Sequence, residues 1–276
     1  MIGANWLSNL KKFDRERFDS IRHLDSERRK GIAAIYSFNL ELANIAWNVS
    51  EPELGYLKLR WWEDYINDMH NVYSFGENEY LLILSKLVAE GKLHKSNLLR
   101  LIKAREFDCS KKPFDSYEQQ INYIRDTSQN LLFMALSCLS EFKDNSLRKN
   151  LSEYFGLSLG LARFILATGS LRQSKCYSLF LPNQIDYTTY FECRINDSIK
   201  ERIYSDIDLT FDLVQLGKKE LKSIRLKKKS LSLLYTVNNF VPILKEIRNS
   251  PQLIFRKNHK LSLKAKIIGK INELAT

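Results

Sequence analysis

Asp64 and Asp68 are the carboxylates whose spacing could do chemistry. A D-x-x-x-D pair puts both groups on one side of a helix, where hard oxygen ligands one turn apart can share a divalent cation. Arg60 stands one turn before Asp64, and an i, i+4 ion pair on a solvated face explains the same residues. Glu41 is a lone carboxylate, a poor magnesium site by itself. His23, His70, His94 and His259 have no ligand spacing and no neighbouring nucleophile and acid, so they carry no assigned chemistry. Cys109, Cys138, Cys176 and Cys193 include no C-x-x-C pair, which argues against a zinc knuckle or a disulfide framework and fits a reducing cytosol.

The elements that must position these residues read as helices. With 10 Gly and 5 Pro in 276 residues, a turn-rich all-β protein and glycine-rich phosphate loops are both disfavoured. Hydrophobic residues make up 44% of the chain and aromatics 12%, enough to fill a core and too much for a disordered chain. Apolar spacing predicts helices over 26–47 and 52–73, the second starting at Pro52 and turning Leu54, Leu57, Trp61, Tyr65 and Met69 inward. Further helices are predicted over 79–90, 96–106, 116–138, 146–167, 195–229, 231–249 and 261–274. The stretch 168–190, with Gly169 and Pro182, reads as a loop. No repeat, linker or period-two strand emerges, so the expected architecture is a single all-α domain over residues 1–276.

Charge is uneven. The net charge is +11, yet residues 217–276 contain 15 Lys+Arg against 3 Asp+Glu, so the rest of the chain is close to neutral. The segment 261–274 has the pattern of a basic amphipathic helix, with Lys266 and Lys270 opposite an apolar arc. That pattern suits an anionic membrane surface or an acidic partner better than nucleic acid, which would call for interleaved aromatics or a reading motif. A bundle helix with a solvated face explains it as well. The N-terminus lacks a secretory pattern, and 157–171 is interrupted by Arg163, so no signal peptide and no transmembrane helix are expected. The expected location is cytoplasmic, peripheral on the inner membrane at most.

Two segments carry a family pattern: Tyr36-Ser-Phe-Asn-Leu-Glu-Leu-Ala, and Val49-Ser-Glu-Pro-Glu-Leu-Gly-Tyr-Leu-Lys-Leu-Arg-Trp-Trp-Glu-Asp. With Ala104-Arg-Glu-Phe-Asp, Pro113, Tyr117, Tyr154-Phe-Gly-Leu-Ser-Leu-Gly-Leu-Ala, Phe180-Leu-Pro and His259-Lys-Leu-Ser, they resemble the squalene/phytoene synthase family. More narrowly, they resemble its branch containing the mitochondrial complex I assembly factor and alphaproteobacterial relatives. The resemblance implies an isoprenoid-synthase helical bundle around a central apolar cavity. Active members join two prenyl diphosphates head to head, with carboxylates on two facing helices holding Mg²⁺. The first set of carboxylates would fall at Ala43, Asn44 and Trp47, and the second at Ala167, Ser170 and Leu171. None of these can replace an aspartate as a Mg²⁺ ligand, so neither catalytic residues nor a metal site are expected.

The resemblance makes Tyr36, Phe38, Glu41, Asn44, Trp61 and Arg163 the expected remnant of the cavity. Trp61 and Trp62 could stack against a prenyl chain, but neighbours on a helix point about 100° apart, so one is expected to enter the core and the other to meet a helix or partner. Arg163 is either an anion-binding remnant or a cation paired with a carboxylate such as Glu41. The implied role is a noncatalytic assembly or chaperone-like factor for respiratory complex I or a similar membrane complex, with no cofactor. Two alternatives stay open. One is a prenyltransferase with a site rebuilt on Glu41, Asp64 or Asp68 and using Mg²⁺, and the other is a noncatalytic isoprenoid or quinone binder.

Overall fold

The computed structural model describes residues 6–69, 78–222, 224, 228–257 and 259. In chain order its α-helices are α1 (Trp6–Phe13), α2 (Arg15–Ser20), α3 (Ser26–Ile45), α4 (Pro52–Asn67), α5 (Glu79–Ala89), α6 (Lys95–Ser110) and α7 (Tyr117–Ile124). These are followed by α8 (Asn130–Ser137), α9 (Asn145–Leu151), α10 (Ser158–Gln173), α11 (Gln184–Phe191), α12 (Asp197–Lys222), α13 (Lys228–Leu234) and α14 (Val241–Asn249). No strand occurs among the described residues, as an all-α fold requires. The described residues fall into two units, one drawn from 1–110, 129–152 and 226–233, the other from 111–128, 153–225 and 234–276.

In the first unit α3 is the axis. The Asp25 side chain accepts the Arg28 backbone N–H at 3.0 Å and caps its N-terminus. The sequence reading placed its apolar residues on one side, whereas every residue from Gly31 to Leu40 is buried. Gly31, Ala33, Ala34 and Ser37 are small enough to let α1, α5, α6 and α8 pack around the helix on several sides. Arg28 at the start of α3 reaches Glu141 at 3.1 Å, and Ser230 donates to the same carboxylate, also at 3.1 Å. Residues 6–20 had no predicted helix, yet α1 and α2 form there. Trp6 is buried and donates through Nε1 to Glu79 Oε2 at 3.0 Å.

The inward face of α4 differs from the expected one by about one residue. Gly55, Leu59, Trp62 and Ile66 are buried against α6, followed by Met69, while Leu54, Leu57 and Trp61 face solvent. Gly55 explains the rotation. A Cβ there would stand 2.6 Å from Cys109 Sγ on α6, so a residue without a side chain lets the two helices approach on this side. Leu57, expected inside, is 66% exposed. The part of the predicted second helix beyond Met69 lies outside the described residues.

In the second unit α10 packs against α12. Ile199, Ile203, Ile207, Thr210, Val214, Gly217 and Leu221 recur every three or four residues along α12 and form its buried face. Two stretches expected as continuous helices contain π-helical turns, Arg125–Gln129 and Ser152–Leu157, located where the chain passes from one unit to the other. The expected loop over 168–190 is partly helical, because α10 continues to Gln173 and α11 begins at Gln184. Gly169 is not a loop glycine. It is buried in α10, where a Cβ would stand 2.4 Å from the carbonyl oxygen of Arg256. The connection between these helices is held by hydrogen bonds: Phe180 N donates to Gln120 Oε1 at 2.7 Å and Leu181 N to Tyr187 OH at 3.0 Å. Among the described residues one helical stretch, 145–173, is long and apolar enough to cross a membrane, and 61% of its most apolar window is buried inside the protein.

Candidate functional site

The segment that carries the first family pattern builds a cleft between α3 and α4. Its lining is Glu41, Asn44, Ile45 and Asn48 from α3 and the turn after it, with Lys58, Trp61 and Trp62 from α4, around a volume of about 450 Å³. Behind the lining the aromatic rings interlock. Trp61 and Trp62 meet at 4.9 Å and 76°, Trp61 stacks on Tyr65 at 5.4 Å and 30°, and Phe38 meets Trp62 edge-on at 5.3 Å. Trp62 is core and Trp61 is 56% exposed. The wall is therefore packed on its inner side and open on its outer side.

Glu41 supplies the acidic chemistry of the cleft. Burial raises its pKa above the ordinary carboxylate value, and its Oε2 is buried without a hydrogen-bond partner among the described residues. Tyr80 on α5 is buried near this charge. Desolvation first, then Glu41 and Tyr65, push its phenol far above the usual value, so it stays protonated. Lys58 faces the same space and makes no ion pair among the described residues. Sequence reasoning missed Lys58 and Asn48. The available signal was that Lys58 precedes Trp61 and Trp62 by three and four residues, which puts it near both on one helix surface.

The positions where the family resemblance leads one to expect aspartates are occupied otherwise. Ala43 and Asn44 are half-buried on α3, and Trp47 is exposed in the turn that follows. On α10 in the second unit, Ala167 and Leu171 are half-buried, and Ser170 is exposed and donates to the Lys257 carbonyl at 3.2 Å. A Mg²⁺ ion holding a diphosphate needs several hard oxygen ligands, and these six side chains offer one amide and one hydroxyl. The residues do not fit that ion, and no cluster of three or more His, Cys, Asp or Glu arranged to hold a metal occurs among the described residues.

Other expected site residues are placed differently. Tyr36 and Phe38 are buried in the core and do not line the cleft. Asp64 and Asp68 are exposed on α4 and its C-cap, away from the cleft lining, and the expected Arg60–Asp64 ion pair does not form among the described residues. Arg163 is half-buried on α10. Lys266 and Lys270 lie outside the described residues, as does His70.

A second group of charged side chains went unread in the sequence. Asp206 on α12 is 1% exposed and accepts from Tyr117 OH at 3.0 Å and from Arg202 Nη2 at 2.5 Å. The Arg202 guanidinium stacks 3.7 Å over the Tyr117 ring. Desolvation pushes Asp206 up to about 6 against the opposing effects of Arg202 and Tyr117, and Oδ2 has no partner among the described residues.

The squalene/phytoene synthase family model matches residues 10–265, and the chain belongs to this family. Two solved structures that it resembles carry the names of such synthases. A dehydrosqualene synthase in complex with ligand superimposes with a TM-score of 0.82 at 14% identity, covering 99% of this chain and 95% of that one. The squalene synthase HpnC from Alicyclobacillus acidocaldarius gives 0.72 at 16% identity, covering 88% and 92%. At these identities the likeness establishes the isoprenoid-synthase fold. In sequence the chain is similar to NADH dehydrogenase (ubiquinone) complex I, assembly factor 6. The Bos taurus protein is 29% identical over 184 residues, 65% of this chain and 52% of that protein. The Homo sapiens protein is 27% identical over 182 residues, 65% and 52%. The chain thus spans about half the length of the curated relatives it matches.

Proposed function

We propose that this chain is a noncatalytic member of the squalene/phytoene synthase family that acts as an assembly or chaperone-like factor for respiratory complex I or a similar membrane complex. The observation that carries the reading is the donor set. Head-to-head condensation begins with loss of a diphosphate, and without metal-clamped oxygens the developing charge on that leaving group lacks its main stabiliser. Ala43, Asn44 and Trp47 on one side and Ala167, Ser170 and Leu171 on the other hold no carboxylate. Glu41 alone does not replace two acidic clusters. The relatives named as complex I assembly factors support the partner class, which is subunits of a membrane complex at the inner membrane.

Two measurements test the reading. Purified protein given farnesyl or geranylgeranyl diphosphate and Mg²⁺ should form no condensed product. A pull-down from native membranes should recover complex I subunits. Turnover that a Glu41→Gln or Asp64→Asn/Asp68→Asn variant abolishes would replace this reading with the rebuilt prenyltransferase.

A further inference from the structure

The α3/α4 cleft presents charges that neither condensation chemistry nor assembly as such uses. It offers one carboxylate, Glu41, one ammonium, Lys58, two amides, Asn44 and Asn48, and an indole wall from Trp61 and Trp62. Neither Glu41 nor Lys58 has an ion-pair partner among the described residues, and Glu41 Oε2 is buried with no hydrogen bond. Charges left facing a cleft select its ligand. A diphosphate would meet Lys58 and be repelled by Glu41. A divalent cation would find one carboxylate and be repelled by Lys58. An uncharged isoprenoid would leave both charges unanswered. A zwitterion answers both, because its cation has a carboxylate and indole faces and its anion has an ammonium and amide donors.

The outer side of the same wall says where such a zwitterion comes from. Leu54, Leu57 and Trp61 follow one another at i, i+3 and i+7 along the solvent side of α4, and all three are exposed. Trp47, which immediately precedes the cleft residue Asn48, is more than half exposed as well. Trp61 belongs to both surfaces, lining the cleft while heading the exposed stripe. Two exposed indoles with leucines beside a charge-bearing cleft match the bilayer interface, where indole rings settle at headgroup level and aliphatic side chains reach the acyl boundary. We propose that the α3/α4 cleft holds the zwitterionic phosphoamine headgroup of a membrane phospholipid, with its amine toward Glu41 and its phosphate at Lys58, while Trp47, Leu54, Leu57 and Trp61 enter the bilayer interface. The surface lies wholly within the first unit. It does not depend on the basic residues 217–276 or on the assembly role.

Flotation of the full chain with vesicles of phosphatidylcholine and phosphatidylethanolamine, free of anionic lipid, tests this. Wild type should float with the vesicles. Leu57→Ser/Trp61→Ser should cut the bound fraction at least fivefold, and Lys58→Glu at least threefold, with unchanged circular dichroism and at most a small drop in thermal midpoint, since these side chains are largely outside the core. Free phosphoethanolamine should quench or shift the tryptophan fluorescence of wild type and not of Lys58→Glu. Failure of wild type to float overturns the proposal, as does flotation that needs anionic lipid or is equal in all variants. Response to free phosphoethanolamine without flotation also overturns it, because the source would then be a soluble phosphoamine. Loss of flotation in Leu57→Ser/Trp61→Ser with undiminished recovery of complex I subunits would separate this surface from the assembly reading.

Discussion

Asp206 gives the chain a measurable pH dependence, and its direction decides whether burial or pairing dominates at that site. The carboxyl has an ordinary value of 3.8 and in the fold is pushed up to about 6, desolvation outweighing the pull of Arg202 and the hydrogen bond from Tyr117. Below about pH 4 both the folded and the unfolded chain carry the proton, and this group does not alter stability. Between about 4 and 6 the folded chain keeps the proton that the unfolded chain has released, so its contribution to stability is lost as pH rises. Above about 6 both are ionised and the loss is complete. At about 1.4 kcal/mol per tenfold change in proton affinity, the step corresponds to about 3 kcal/mol. An Asp206→Asn variant cannot titrate at this position. Its own fixed cost, an amide NH₂ placed where Oδ2 has no partner, is the same at every pH. Unfolding by urea, followed by circular dichroism for both proteins from about pH 4 to about pH 7, isolates the site because other titrations cancel in the difference. The stability of wild type relative to Asp206→Asn should fall by about 3 kcal/mol across that range. A flat difference, or one that grows with pH, would mean that Arg202 and Tyr117 hold the carboxylate ionised, and the argument from desolvation would be wrong.

Two pairs of substitutions test the packing, one within each unit. Gly169→Ala forces a Cβ against the carbonyl oxygens of Phe255 and Arg256, at 2.6 and 2.4 Å, and backbone cannot swing aside as a side chain can. It should destabilise the chain by about 1–3 kcal/mol, read as a lower urea midpoint, whereas Ser170→Ala next to it should be nearly silent. Trp62→Ala removes the ring on which Phe38, Trp61 and Tyr65 rest and should cost about 3–5 kcal/mol, while Trp61→Ala should cost less than about 1 kcal/mol in the same denaturation.

What the sequence revealed and what it concealed follow from the range of the interactions involved. Helix starts were readable where a local group sets them. Asp25 caps α3 and Ser116 caps α7 within three residues, and Pro52 fixes the first turn of α4. The inward face of α4 was not local. Leu54-Leu57-Trp61 and Leu59-Trp62-Ile66 both have helical spacing, and the choice between them rests on Gly55 meeting Cys109, more than fifty residues away in sequence. Asp206 was hidden for the same reason. Arg202 is its neighbour at i−4, but Tyr117 and the burial that raises its pKa come from packing between distant segments.

The misread face is also the one with consequences. Had α4 turned Leu54, Leu57 and Trp61 inward, Trp62 would have been the exposed indole and Lys58 would have been drawn toward the packed side. The close approach at Gly55 prevents this by burying Leu59, Trp62 and Ile66, which leaves Leu54, Leu57 and the outer face of Trp61 exposed to solvent. Core formation does not require that exposure at 54 and 57, since the buried face of the helix is made by Gly55, Leu59, Trp62 and Ile66. Leaving apolar area in water at positions free to be polar stabilises nothing in the folded chain, so the stripe has to be understood through what it meets outside it. Gly55→Ala therefore does more than test a helix contact. By pressing on Cys109 it should tilt α4, change the tryptophan fluorescence of the cleft wall and lower vesicle flotation together, whereas a purely local packing defect would reduce stability and leave the flotation of the remaining folded protein unchanged.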